Sequence, residues 1–497
     1  MQTDGVEARP ERRQPSRLLR YRLRISILPA VVVALAFLIG LTIFLKSRPP
    51  GLRHGVWVSQ GETEQLALEF RNARGLVSGR TGELRGGRKV LEWGFAGTRD
   101  RPDLLELRWG RDVVLRGTLD LRRGTIRGDV SLPDGTSRSA TFVRTAPESL
   151  PGFNALAEPK PYRLRAPAPG SGWEVAAPDA VGIDPARLEK AVRAVARGQA
   201  GLLHSMILTR HGKLVLEEYF HGYDRDDLHP IQSCTKSVAS LLVGIAIDRG
   251  EVAGLDAPVF EYFPEHADLR TPEWDGVTLW HLLTMSAGLD WSPREVFTVR
   301  GTGPELFRRV LSRRVVEKPG TRFLYVGANV NLLAGVVHHA TGRHADEFAG
   351  RYLFGPLGIR EWDWDEAKVE GYPSMAGTLR LRPLDMAKLG QLVLDEGRWK
   401  GEQVISSAWI RDSTARAMDT GPGPDRDEFG YLWWLLPLSG EDTSQRIIVA
   451  SGWGSQFIHI APRFDAVLVT TGGNNFNGRT FDLGAVLEHH LKPAFEP

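Results

Sequence analysis

The sequence predicts an α/β (α+β) chain in which an antiparallel sheet is flanked by helices and carries a helical subdomain. A small all-β module and one N-terminal transmembrane helix precede that unit. Three observations lead there. An uncharged run of 21 residues, Ile25 to Leu45, stands near the start. Period-2 alternation fills residues 51–145. Beyond it, strand-like segments near 203–220 and 446–471 bracket a long stretch of helical periodicity.

At 497 residues the chain is long enough for two or three domains, and 42% hydrophobic with 25% charged residues is a globular composition. The formal charge of +3 is unevenly spread. Nine of the 63 Lys and Arg but only three of the 60 Asp and Glu fall in the first fifty residues. The remainder is slightly acidic, which excludes a nucleic-acid binder driven by phosphate attraction. The single cysteine, Cys234, forbids an internal disulfide and disfavours a cysteine-built metal site.

Residues 1–24 form a basic tail with seven arginines, from Arg9 to Arg24. As a helix, residues 25–45 would span about 31 Å, enough for a hydrocarbon core of roughly 30 Å. Only Lys46 and Arg48 follow closely. The positive-inside rule therefore puts residues 1–24 in the cytoplasm and all beyond Arg48 across an inner or plasma membrane, in the periplasm. The stretch is long for a cleaved leader, and Lys46-Ser47-Arg48-Pro49-Pro50 offers no small-x-small cleavage site, so a signal anchor is the reading.

In 51–145, Leu66, Leu68 and Phe70 share one strand face, Leu105, Leu107 and Trp109 another, and Asp134-Gly135 marks a hairpin before Ala140 and Phe142. Seven or eight strands imply a small antiparallel barrel or sandwich. It is either a spacer with a protein or ligand partner, or a stabilising appendage. Residues 146–172 hold six prolines and read as a linker before a domain over 173–497.

In that domain Asp184-Pro185 caps a helix with Leu188, Ala191, Val192 and Val195 on one face. Strands follow at 203–208 and 213–220, and others return at 446–450, 456–460 and 466–471. A closing helix is expected over 481–491.

Gln232-Ser233-Cys234-Thr235-Lys236 opens a helix through Val238, Leu241, Leu242 and Ile245 to Gly250. Positions i and i+3 share a helical face, so the Lys236 amine can reach the Ser233 hydroxyl. A serine needs a nearby base to become a nucleophile, and a partly desolvated lysine can be one. The helix start favours the alkoxide. By itself an S-x-x-K match is common by chance, and an N-capping serine beside a surface lysine gives the same pattern. Two further blocks change its weight. One is Lys318-Pro319-Gly320-Thr321-Arg322-Phe323-Leu324-Tyr325-Val326-Gly327-Ala328-Asn329, and the other is Ala450-Ser451-Gly452-Trp453-Gly454-Ser455-Gln456.

These blocks in this order resemble the serine β-lactamase and penicillin-binding-protein family, in its class C-like branch with esterases, D-amino-acid peptidases and 6-aminohexanoate-dimer hydrolases. Trp280-His281-Leu282-Leu283-Thr284-Met285-Ser286-Ala287-Gly288-Leu289, Ser374-Met375-Ala376-Gly377 and Tyr431-Leu432-Trp433-Trp434 fit the same pattern over roughly 173–490. The resemblance implies a β-lactamase/transpeptidase-like fold and a serine hydrolase acting through an acyl-enzyme on an ester or amide. Its substrate would be a small-molecule or peptide-like acyl compound. Ser233 would be the nucleophile, Lys236 its base, and Tyr325 the proton relay. The backbone N–H groups of Ser233 and Trp453 would form the oxyanion hole, with Ser451, Gly452 and Gly454 along the substrate. No cofactor and no metal are implied. Two departures stand out. Gly327 replaces the usual Asn or Ser two residues after the tyrosine. Ala450-Ser451-Gly452 replaces Lys-Thr-Gly, so the cation that grips a β-lactam carboxylate is missing. An esterase or amidase fits better than a true β-lactamase. A catalytically silent binding or sensor protein on the same fold is the alternative from another class, and intact Ser233, Lys236 and Tyr325 argue against it.

Other candidates are weaker. Ser286 lies one residue short of a G-x-S-x-G elbow and follows a helix-like segment. The pairs His338-His339 and His489-His490 are adjacent on helices and point apart, so neither suits a shared metal. Cys234 reads as a packed residue behind the nucleophile. Trp433 and Trp434 are core or cleft wall.

Overall fold

The computed structural model describes strands between residues 55 and 145 and, with short gaps, residues 164–473 and 491–495. The proposed anchor at 25–45, most of the linker, the expected closing helix at 481–491 except for Leu491, and His489-His490 lie outside the described residues. No helix among the described residues is long and apolar enough to cross a membrane.

Eight strands hydrogen-bond in sequence order as a closed barrel. They are β1 (Gly55–Ser59), β2 (Glu64–Ala73), β3 (Leu76–Arg85), β4 (Arg88–Thr98), β5 (Leu104–Trp109), β6 (Asp112–Asp120), β7 (Thr125–Ser131) and β8 (Ser137–Thr145). β1 closes the ring against β8, with Trp57 opposite Arg144. Closure removes the free edges that an open sheet would expose. Ile126 and Phe142 face each other across β7 and β8 and are fully buried.

The second unit begins with β9 (Glu174–Val175) and α1 (Pro185–Ala196). Asp184 starts α1 by accepting from the N–H groups of Ala186 (2.8 Å) and Arg187 (3.1 Å), and Leu188, Ala191, Val192 and Val195 are buried on one face. β10 (Leu203–Arg210) and β11 (Lys213–Tyr219) form a hairpin whose two-residue turn, His211-Gly212, has both φ angles positive. β12 (His229–Pro230) leads into α2 (Cys234–Asp248). The helical subdomain follows, with α3 (Leu279–Leu283), α4 (Pro293–Thr298), α5 (Pro304–Leu311), α6 (Gly327–Thr341) and α7 (Ala345–Ala349). β13 (Arg380–Leu381) pairs with β12, and α8 (Pro383–Leu394) returns the chain to the sheet. The hairpin β14 (Arg398–Trp399) and β15 (Glu402–Gln403) and then α9 (Ser407–Ser413) come next. The last strands are β16 (Met418–Asp419), β17 (Glu428–Phe429), β18 (Trp434–Pro437), β19 (Arg446–Gly452), β20 (Gln456–Ala461) and β21 (Ala466–Gly472).

Nine of these strands make one sheet in the order β16-β17-β18-β19-β20-β21-β10-β11-β9. The expected all-antiparallel sheet needs one correction: β9 runs parallel to β11, with Lys213 opposite Glu174. The short β9 reaches the edge from the linker side, not through a hairpin, so its direction is free of the alternation that governs the other strands. One core lies under α1, where Leu188 and Val192 meet Leu208, Leu216 and Leu468. The larger core holds α2, α6 and α8 together with Ile207, Ile458 and Val467. Here α2 is buried from Cys234 to Ala246 on every side, so it is a central helix and not a one-faced surface helix. Gly244 permits this, since a Cβ there would stand 2.4 Å from the Trp409 indole.

Candidate active site

Ser233 stands where β12 hands over to α2, just before the first helical residue. The preceding residue, Gln232, has φ +51, a left-handed conformation that a non-glycine residue adopts at some cost. Ser233 makes no capping bond with its side chain. The N-capping alternative is thereby removed. Its Oγ instead accepts from Lys236 Nζ at 2.9 Å, one helical turn along.

Lys236 is only 4% exposed, so its amine must be satisfied inside the protein. Besides Ser233 it donates to the Ala376 carbonyl at 2.5 Å, and its Nζ lies 5.0 Å from the centre of the Tyr325 ring. The segment carrying that carbonyl is held by a small polar network. Ser374 Oγ donates to Asn331 Oδ1 on α6 (3.2 Å) and accepts from the Ala376 N–H (3.3 Å), while Trp364 Nε1 donates to the Ser374 carbonyl (2.9 Å).

Tyr325 comes in on the loop before α6, and its phenol is close enough to Ser233 for the serine to influence its ionisation. Burial pushes its phenol up to about 12, against the opposing effect of Ser233 and with a smaller push from Cys234. The phenol is therefore a protonated group at neutral pH. Trp434 lies beside it, ring centres 5.8 Å apart, and Phe323 and Phe429 continue the aromatic wall. This divides the tryptophan pair: Trp434 borders Tyr325, whereas Trp433 is 1% exposed and belongs to the core. Gly327, two residues beyond Tyr325, faces Ala376, where a Cβ would come within 3.3 Å of the Ala376 Cβ.

The third block is the end of β19 and the turn into β20. Gly452 pairs with Gln456 across the three-residue turn Trp453-Gly454-Ser455. Gly454 and Ser455 take φ values of +87 and +74. Gln456, 1% exposed, fixes this turn: its Nε2 donates to the Trp453 carbonyl (3.1 Å) and the Gly472 carbonyl (2.7 Å), and its Oε1 accepts from the Gly472 N–H (3.0 Å). A Cβ on Gly452 would lie 2.5 Å from the Ile231 carbonyl oxygen and 3.1 Å from the Gln232 Cβ. The end of β19 thus abuts the segment that presents Ser233. Ser451 is half-buried beside it, and the Trp453 side chain is 67% exposed.

A beta-lactamase family model matches residues 188–483, the stretch that carries all three blocks. The chain belongs to the beta-lactamase family. It is a serine hydrolase of that family. Over 285 residues, covering 53% of this chain and 70% of the relative, it is 27% identical to a 6-aminohexanoate-dimer hydrolase from Paenarthrobacter ureafaciens. A solved structure from Bacteroides dorei, provisionally assigned as a beta-lactamase, superposes with a TM-score of 0.54 at 18% identity, covering 63% of this chain and all of that one (100%). Another from Bacillus anthracis, provisionally assigned as a 6-aminohexanoate-dimer hydrolase, gives 0.51 at 19% identity over 59% and 79% of the two chains. These two likenesses establish the fold.

In this beta-lactamase-family hydrolase the remaining sequence candidates fall elsewhere. Ser286 is 1% exposed and hydrogen-bonded to Thr284 Oγ1 at 2.7 Å. The Cys234 thiol donates to the Gln456 carbonyl (3.3 Å), and burial pushes its pKa up, the opposite of an activated thiol. His338 stacks on His344 at 4.2 Å, and no cluster of three or more ligating side chains occurs among the described residues. Sequence reasoning gave no role to the Ala376 carbonyl, Ser374, Asn331 or Gln456. Gln456 carried a readable signal, a polar residue in the inward register of Ile458 and Ile460 on β20.

Proposed function

We propose that Ser233 attacks an ester or amide carbonyl and that the reaction passes through an acyl-enzyme. The observation that carries this is the 2.9 Å bond from Lys236 Nζ to Ser233 Oγ, made by a lysine buried beside Tyr325. Lys236, acting as the neutral amine, takes the serine proton as the bond to the carbonyl carbon forms. Tyr325, protonated because burial raises its phenol, gives a proton to the leaving oxygen or nitrogen as the bond from carbonyl carbon to leaving group breaks, and it regains one from Lys236, which holds the proton taken from the serine. The N–H groups of Ser233 and Trp453 receive the oxyanion. Support for the second comes from Gln456, which pins the Trp453 peptide, and from Gly452, which lets the turn approach Gln232. Ser451, Gly452 and Gly454 then run along the bound acyl compound.

The relative named for hydrolysing a 6-aminohexanoate dimer supports acyl compounds of that size. Ala450 brings no cation where a β-lactam carboxylate would be gripped, which favours an uncharged ester or amide over a β-lactam. Residues 25–45 anchor the enzyme in the membrane with the hydrolase domain outside, and the β-module acts as spacer or partner-binding unit. Hydrolysis of p-nitrophenyl esters by wild type and by Ser233→Ala tests the chemistry: loss of turnover in a folded variant is expected, and retained turnover refutes it. An alkaline-phosphatase fusion after residue 60 tests the topology; an inactive fusion contradicts it.

A further inference from the structure

Helix α2 has Ser233 at its start and Arg249 just past its end, about 24 Å apart along the axis. The Arg249 guanidinium lies 3.9 Å over the ring of Tyr352. Tyr352 in turn lines a cavity of about 810 Å³ between the 351–360 segment, the first turns of α8 and the β14–β15 hairpin. The cavity is therefore separate from the catalytic serine.

Its walls are cationic. Arg225, Arg351, Arg360, Arg382, Lys388 and Lys400 face three carboxylates, Asp226, Asp385 and Glu402. Arg225 is committed to Glu217 at 2.6 Å. Asp385 is buried on α8 and shared by Arg382 (2.7 Å) and Lys388 (2.8 Å), so one carboxylate meets two cations. The exposed Asp226 stands 4.0 Å from Arg382. Arg351, Arg360 and Lys400 have no carboxylate within 4.0 Å among the described residues. Lys400 is also placed at a conformational cost. It occupies the first position of the two-residue turn Lys400-Gly401 with φ +50, where Asn or Gly is the unstrained choice. The hairpin keeps a lysine there, on the lip of a cationic cavity.

We propose that this cavity binds a small molecule carrying a phosphate or pyrophosphate group. Guanidinium forks match phosphate oxygens in pairs, and the volume suits a ligand of drug size. The excess of cations calls for an anion of charge −2 or more. Tyr352, Leu357 and Trp399 in the lining supply apolar surface for the organic part.

Inorganic pyrophosphate titrated into the full chain by calorimetry, with sodium chloride adjusted to constant ionic strength, tests the site. We expect saturable binding, weakened by about tenfold or more in Arg351→Ala/Arg360→Ala, as removal of charge-assisted hydrogen bonds implies. Lys400→Asn suits the left-handed turn and so preserves the fold; it should weaken binding as well. Ester turnover at Ser233 should stay within about twofold in both variants, since neither touches the reacting groups. No saturable heat in wild type, or equal affinity in Lys400→Asn and wild type, overturns the proposal.

Discussion

Gly452 on β19 lies against the carbonyl of Ile231, two residues before Ser233, so closely that a Cβ there would sit 2.5 Å from that oxygen. The strand that carries the third sequence block and the segment that presents the nucleophile are thus in backbone contact. The oxyanion geometry proposed above depends on this approach.

Gly452→Ala forces the two segments apart. Overpacking of this kind costs typically ~1–3 kcal/mol. The expected result is a modest loss of stability in urea denaturation with a kcat loss on an ester substrate of at least about tenfold, because small displacements in an oxyanion hole are costly. Full activity with unchanged stability would show that the contact is unimportant.

Gln456 is a positioning residue in this account. Gln456→Ala removes the bonds to the Trp453 and Gly472 carbonyls and to the Gly472 N–H. Leaving these buried groups unpaired should destabilise by roughly 1–3 kcal/mol. Turnover should fall in kcat more than in KM, since the pinned peptide is invoked for the transition state. A change in KM alone would contradict that role.

Tyr325→Phe keeps the ring against Trp434 and removes only the hydroxyl. Loss of a general acid–base group is worth typically ~10²–10⁴-fold in rate. The fall should appear in kcat, and it should be larger for an amide than for a p-nitrophenyl ester, whose leaving group needs no proton. Near-wild-type kcat on both substrates would refute the relay.

The sequence displayed some of this and concealed the rest for physical reasons. Helix α1 and strand β20 were legible because their apolar periodicity is unbroken, and β19 and β21 because each carries a short run of β-branched and apolar residues. The two-residue strands β12, β13, β16 and β17 are too short to show any period, and β9 hides in the linker composition. The S-x-x-K spacing displayed the Ser233–Lys236 bond, because one helical turn dictates it. The second acceptor of Lys236 is a backbone carbonyl, Ala376, and backbone groups leave no mark on residue identity. The strained φ of Gln232 is equally silent.

Stability should fall on mild acidification. Burial lowers the His459 pKa to about 4 and moves His344 and His339 in the same direction. Each folded-state value lies below the ordinary 6.5, so between pH 6.5 and about 4 the unfolded chain binds more protons than the native one. Stability is full above 6.5 and is lost as pH falls through that window, by at most about 3 kcal/mol from His459. Urea unfolding at pH 7.5 and pH 5 should show the loss, and His459→Phe should reduce it. An identical pH dependence in the variant would remove His459 as the cause.

The central claim is that Ser233 becomes covalently acylated. Intact-mass analysis after treatment with a fluorophosphonate probe, followed by peptide mapping, tests it most directly. The account predicts a single adduct on the peptide containing Ser233, with no adduct in Ser233→Ala of unchanged melting temperature. An adduct that persists in Ser233→Ala, or one that maps to Ser286 or Cys234, would contradict it.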